Sequence, residues 1–99
     1  MASIIRGTTP TFKYTFKTVD VSKITTAFLT IKSKTDLEKD LSEAIVGTNY
    51  LAWTLTQSET LALGDHISVM INWKLQDGTR GASVKKQFLI DVNYKDVVI

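Results

Sequence analysis

The stretch LQDGTRGASVKK, from Leu75 to Lys86, joins two segments in which apolar and polar residues alternate. The Asp77-Gly78 pair between such segments is a strong short-range signal for a β-hairpin, and it predicts a two-residue type I′ turn with positive φ at both positions. A phosphate-binding loop is disfavoured, because the residues that follow, 83–92, have the pattern of a strand and not of a helix. The predicted register pairs Trp73 with Ala82, Ile71 with Val84, Val69 with Lys86, and Ile67 with Phe88.

The same alternation with period two extends through most of the chain and is typical of half-buried strands. Five segments each have one apolar face, and their inward residues form the predicted core: Phe12, Tyr14 and Phe16; Ala27, Leu29 and Ile31; Leu51, Trp53 and Leu55; Ile67, Val69, Ile71, Trp73 and Leu75; Val84, Phe88, Ile90 and Val92. Lys86 interrupts the last of these faces. Two weaker runs, Ser3–Arg6 and Asp36–Leu41, are expected to form short edge strands.

Strands that recur about every ten residues, with turn-rich joints between them, predict an all-β fold. We expect a single domain over residues 1–99, an antiparallel β-sandwich of about seven strands with at most one short helical turn. That turn is placed after Thr56, because Glu59 three residues later completes a capping box.

Composition excludes several classes of function. The 99 residues suffice for one hydrophobic core, and the absence of cysteine rules out disulfides and thiolate metal sites. A net charge of +2 is too balanced for a dedicated nucleic-acid binder. The first ten residues lack the apolar run of a signal peptide, and no apolar run approaches the roughly 20 residues of a membrane span. Neither nucleic acid nor membrane is expected as a partner.

Few residues are candidates for chemistry. His66 is the single histidine, and neighbouring Asp65 is too close in sequence to orient it as in a catalytic triad, so a solvated turn histidine is predicted. The alternating carboxylates Asp36, Glu38 and Asp40 would share one face of a strand, but their spacing of roughly 6.5–7 Å suits solvation better than one metal ion. No catalytic, cofactor-binding or metal-binding residue is assigned, and no small-molecule ligand is expected.

Aromatic residues offer two alternatives to a core role. Lys13 and Lys17 alternate with aromatic residues, as on a nucleic-acid platform, but in a strand they would face away from those rings. Trp53 and Trp73 are in phase with aliphatic neighbours, which favours the core over a sugar-binding surface. Phe28 and Tyr50 are out of phase with their strands, and we predict that they belong to a contact surface.

Four segments together resemble a family of short proteins encoded by tailed bacteriophages and prophages of Firmicutes. They are IIRGTTPTF at Ile4–Phe12, LTIK at Leu29–Lys32, WTLTQSETL at Trp53–Leu61 and DGTRGAS at Asp77–Ser83. Their order and spacing carry the resemblance, which runs nearly end to end. The family is similar in architecture to the immunoglobulin-like sandwiches that decorate phage heads and tails, and to N-terminal domains of some baseplate proteins.

The resemblance implies an immunoglobulin-like sandwich with a structural or assembly role in the virion. The chain would be made in the bacterial host cytoplasm and would contact other virion proteins or copies of itself, without enzymatic activity. A carbohydrate-binding module for attachment to the host surface is the alternative, and an outward-facing tryptophan would favour it.

The apolar residues Val97–Ile99 are expected to pack on the domain or on a neighbouring subunit.

Overall fold

The computed structural model describes residues 2–99 and is mostly β, as the alternation predicts. Nine strands are present in this range: β1 Ala2–Ile5, β2 Thr11–Thr15, β3 Ile24–Lys32, β4 Leu37–Asp40, β5 Ile45–Val46, β6 Tyr50–Thr54, β7 His66–Leu75, β8 Arg80–Ala82 and β9 Lys86–Asp91. One α-helix, α1 (Gln57–Ala62), and two 3-10 helices, Val21–Lys23 and Leu41–Glu43, complete the chain. Both the strand count and the number of helical turns exceed what the sequence predicted.

The strands form two sheets that share one core. The larger sheet has the order β1-β9-β7-β3-β4, with β8 also pairing with β7, and the smaller has the order β2-β6-β5. The weak runs near residues 3–6 and 36–41 are β1 and β4, the two edges of the larger sheet, as expected. Neighbouring strands are antiparallel except β1 and β9, which run parallel.

Residues of both sheets fill the space between them. Ring pairs span the layers: Phe12 lies 5.5 Å from Phe88, and Phe16 lies 4.9 Å from Trp73, between ring centroids. The predicted inward positions of β3, β6 and the first half of β7 are all buried. Two predicted core residues are not: Val84 is 84% exposed, and Val92 lies beyond the end of β9 with 82% exposed.

The β7–β8 hairpin differs in detail from the prediction. Gly78 has φ +90°, as expected, but no other residue of the turn has a positive φ, so the type I′ assignment is wrong. Gly78 N–H donates to the Leu75 carbonyl, and Leu75 N–H donates to the Thr79 carbonyl. These bonds define a three-residue loop, a type I turn closed by a left-handed glycine.

The longer loop shifts the register by one residue. Trp73 lies opposite Gly81, where Ala82 was predicted, whereas the predicted pairs of Val69 with Lys86 and Ile67 with Phe88 are confirmed. The chain recovers the predicted register through one extra residue between Ser83 and Lys85. That segment is therefore a bulge facing the middle of β7.

Helix α1 begins where the capping box was predicted. The Thr56 hydroxyl accepts a hydrogen bond from the Glu59 N–H, and the Glu59 carboxylate accepts one from the Thr56 N–H. The helix connects β6 to β7. No helix among residues 2–99 has the length and apolar character needed to cross a membrane.

Candidate contact site

The two aromatic residues that the sequence singled out lie on different surfaces. Phe28 is half-buried on the outer face of β3, between the buried Ala27 and Leu29. Tyr50 is half-buried on the outer face of β6, where the Lys13 ammonium lies 4.3 Å from the centre of its ring. Because these outer faces belong to opposite layers of the molecule, Phe28 and Tyr50 do not form one contact surface.

A groove of about 590 Å³ opens between the two sheets, along the edge of β2 that does not pair with β6. Its floor is apolar and consists of core residues of the larger sheet, among them Val69, Ile71 and Phe88. One wall consists of the five successive residues Pro10–Tyr14. Since side chains of a strand alternate between its faces, a wall of successive residues means that the edge of the strand borders the groove.

The backbone of that edge has no partner within the described chain. Phe16 N–H donates to the Asn49 carbonyl and Leu55 N–H donates to the Pro10 carbonyl, so the even-numbered residues of β2 bond to β6. In an antiparallel ladder the alternate residues then direct their N–H and C=O groups away from that partner. The peptide groups of Thr11, Lys13 and Thr15 therefore face the open side.

The opposite wall is the bulge between β8 and β9. The Ser83 hydroxyl accepts a hydrogen bond from the Ile71 N–H at 2.9 Å, and the Ser83 N–H donates to the Ile71 carbonyl at 2.8 Å. Ser83 thus fixes the start of the bulge, and Val84 follows it with its side chain almost fully exposed at the rim. The bulge ends the β8 ladder and leaves space beside β2.

The groove carries positive charge. Lys86 lines it and no carboxylate does, whereas Lys13 borders it with the strand edge and holds its ammonium over the Tyr50 ring on the outer face. Lys86 occupies the phase of the inward residues Phe88 and Ile90, so its stem points toward the space between the sheets. The ion pairs found in residues 2–99 are elsewhere: Arg6 with Asp65, Lys32 with Asp36, and Lys39 with Glu59.

The carboxylates considered as metal ligands diverge. Asp36 accepts a hydrogen bond from Lys32 at 2.9 Å, and this bond lowers the pKa of its carboxyl. Asp40 caps the 3-10 helix that follows it by accepting from Ser42, and Glu38 is exposed on β4. Within residues 2–99, no group of three or more His, Asp or Glu side chains is arranged to hold a metal ion.

The histidine and the two tryptophans are the other residues considered from the sequence. His66 is exposed at the start of β7, and Asp65 beside it pairs with Arg6 at 3.0 Å. Trp53 is fully buried, and its indole N–H donates to the Asp40 carbonyl at 2.8 Å. Trp73 packs on Phe16 and on the hydrophobic core, as its phase predicts.

Comparison with known proteins adds no relationship: the chain matches no family model, no curated protein and no solved structure. The groove itself was not predicted from the sequence. Its one sequence signal is Lys86, a charged residue in the phase of an apolar face, because a lysine in such a position requires an opening through which its ammonium reaches solvent.

Proposed function

We propose that this protein acts by protein–protein contact, as a structural or assembly component of a bacteriophage particle. The observation that supports contact is the groove beside β2, where an unpaired strand edge borders an apolar floor. A strand edge of this kind can accept an extended segment from another chain. The backbone provides pairing, and the groove provides selection for the side chains of the incoming strand.

The gain from such pairing comes from two sources. Each net backbone hydrogen bond contributes about 0.5–1.5 kcal/mol, and Thr11, Lys13 and Thr15 together offer several donors and acceptors. Apolar side chains that cover Phe12, Phe88 and Ile71 add about 25 cal/mol for each Å² removed from water. Since the floor is apolar and the net charge is small, association should depend only weakly on salt.

Assignment to the virion rests on the resemblance to short phage and prophage proteins. The immunoglobulin-like sandwich belongs to the same proposal, and two sheets with a shared core are consistent with it. In this proposal the chain is made in the host cytoplasm, becomes part of the particle, and contacts other virion proteins or itself. The carbohydrate-binding alternative gains no support from the tryptophans, since Trp53 is buried and Trp73 packs against core aromatics.

The experiment compares two phage strains that carry arginine at different exposed sites. Val84→Arg adds a positive charge at the groove, and Ile45→Arg adds the same charge to β5, at the far edge of the smaller sheet. Mass spectrometry of purified particles should detect the parent and the Ile45→Arg chain and should show depletion of the Val84→Arg chain. A parent chain absent from particles, and monomeric at every concentration, would contradict the proposed function.

A further inference from the structure

The segment after β9 presents an apolar surface of its own. Residues 92–99 contain no helix or strand. Their large apolar side chains are exposed from about half to fully: Val92, Tyr94, Val97, Val98 and Ile99. Val97 and Val98 are about half exposed and Ile99 bonds to Gln57, so the segment contacts its own domain and leaves much of its apolar surface uncovered. Contact of Val97–Ile99 with a neighbouring subunit, the second of the two outcomes predicted, remains a prediction.

An extended conformation would give this segment one distinctive face. Tyr94, Asp96 and Val98 alternate, so in a strand they would point the same way, with the acid between an aromatic and an aliphatic side chain. Along β2 the groove presents an apolar, then a basic, then again an apolar surface, in an order that matches these three side chains. Phe12 and Phe88 lie at one end, and Lys86 is near the middle, level with Val69.

Toward its other end the groove is apolar again, with Ile71 and Val84. We propose that the groove binds residues 94–98 of a second copy of this chain, added as a strand to β2 with Asp96 against Lys86. This inference rests on the proposed function and names its partner. Tyr94 would then cover the phenylalanine end, and Val98 would cover the aliphatic end.

Charge decides between this strand and a simpler self-pairing. Two copies of β2 placed edge to edge would bring Lys13 and Lys17 of each chain together, and like charges on paired strands are destabilising. Lysines at an edge normally discourage pairing. A strand formed by residues 94–98 carries one lysine, Lys95, and one acid, Asp96, and so has no net charge. Asp96 would face Lys86, while Lys95 would lie on the opposite face of the strand.

Within its own chain the segment is held outside the groove. The Asn93 side-chain amide donates to the Arg6 carbonyl at 2.8 Å, and Ile99 exchanges two hydrogen bonds with the half-buried Gln57 side chain. The two bonds to Gln57 and the bond from the Lys95 N–H to the Asn93 side chain must be released for residues 94–98 to extend. Because groove and strand are different surfaces, the contact is head-to-tail, and repetition would produce rings or filaments.

A charge exchange tests the pairing in the full chain. Lys86→Glu alone and Asp96→Lys alone should each weaken association at least about tenfold, and the double variant should recover most of that loss. Lys85→Glu makes the same change of net charge at the neighbouring exposed residue and should have little effect. Sedimentation over a concentration series measures association, and thermal unfolding confirms that each variant folds. Equal effects of Lys86→Glu and Lys85→Glu would overturn the proposal.

Cross-linking tests which chain supplies the strand. The protein contains no cysteine, so Lys13→Cys and Val97→Cys each introduce one reactive thiol. In a mixture of these two variants, a short bismaleimide should join two different chains, whereas Lys74→Cys mixed with Val97→Cys should give no product. A cross-link within one chain carrying both substitutions, at high dilution, would assign the groove to its own tail and overturn the proposal.

These experiments distinguish failure of the second-copy inference from failure of the proposed function. If no cross-link forms and the parent chain is nevertheless found in particles, the second-copy inference is wrong while the proposed function stands. If the parent chain is monomeric and absent from particles, both are wrong.

Discussion

The side of the molecule at β4 and the side at β2 are both built from strands of alternating apolar and polar residues. They differ in what lies at the opening between the two sheets. On the β4 side the Trp53 indole donates to the Asp40 carbonyl, and Lys39 pairs with Glu59 at 2.9 Å, so β4 is tied to the smaller sheet and to α1. On the β2 side of the described residues, the strand edge borders the groove of about 590 Å³. The comparison separates residues that hold the fold from residues that are free to bind.

The two sides also differ in the surroundings of their lysines. Lys39 on the β4 side is nearly buried, with 11% of its side chain exposed, and has a carboxylate partner. Lys86 on the β2 side is exposed and has no partner among residues 2–99. A partnered lysine stabilises the domain, whereas an unpartnered one at the mouth of an apolar groove is available to a second chain.

The largest expected effect is at the β4 side. Trp53→Ala should lower the free energy of unfolding by about 3–5 kcal/mol, because it leaves a cavity and removes the bond to Asp40. Trp73→Ala, nearer to β2, should cost less, since that side chain is only partly buried. Urea denaturation of both variants measures the difference. An equal or greater loss for Trp73→Ala would remove the energetic distinction between the two sides.

A smaller effect is expected at the hairpin that carries the groove wall. Gly78→Val should lower the free energy of unfolding by about 1–2 kcal/mol, because a β-branched residue is strained at positive φ. No neighbouring atom lies within 4 Å of a Cβ built there, so the loss would come from the backbone alone. Gly78→Asn should cost less, because asparagine tolerates this conformation. Identical urea midpoints for parent and valine variant would contradict the assigned turn.

The acid dependence of stability should be reduced by Glu59→Gln. Burial raises the pKa of Glu59, but the Thr56 N–H and the Lys39 ammonium outweigh it, and the pKa falls below its ordinary value of 4.5. The carboxylate therefore stabilises the fold fully above that value, and this contribution is lost as the pH falls through the lower pKa of the folded state.

Glu59→Gln should cost about 0.5–1 kcal/mol near neutral pH, because it removes the ion pair with Lys39 while glutamine can still complete the capping box. It should cost less at a pH below the lowered pKa of the folded state, where the parent carboxylate is protonated. Urea midpoints of both proteins at the two pH values measure this. A difference that grows as the pH falls would contradict the assignment.

The smallest effect on stability should come from the groove rim. Val84→Ser should change the free energy of unfolding by no more than about 0.5 kcal/mol, because the side chain is 84% exposed. The same variant should weaken association measurably. A loss of stability larger than that would mean that Val84 supports the fold and not the contact.

Most of the fold was accessible from the sequence because burial of alternate residues has a strong signature. The inward faces of β3 and β6, the capping box of α1 and the two edge strands follow from residue type and spacing. The β8 register did not, because Asp-Gly is compatible with both a two-residue and a three-residue loop. The loop chosen here moved Val84 from the predicted core to the rim.

The candidate site was harder to predict from the sequence than the fold, for a physical reason. Phe28 and Tyr50 were correctly placed outside the core, but periodicity within one strand says nothing about which layer that strand occupies. The groove depends on the order of strands in the smaller sheet and on the bulge at residues 83–85. Both are set by contacts distant in sequence, and Lys86 alone gave a local sign of them.

The central claim is that the free edge of β2 pairs with another chain. Amide hydrogen exchange of β2 tests it directly, because only the N–H groups of Thr11, Lys13 and Thr15 face the open side. In dilute protein these three should exchange rapidly, and in the associated form they should be protected, while Phe12, Tyr14 and Phe16 are protected in both. Rapid exchange at the three positions in the fully associated protein would contradict the account.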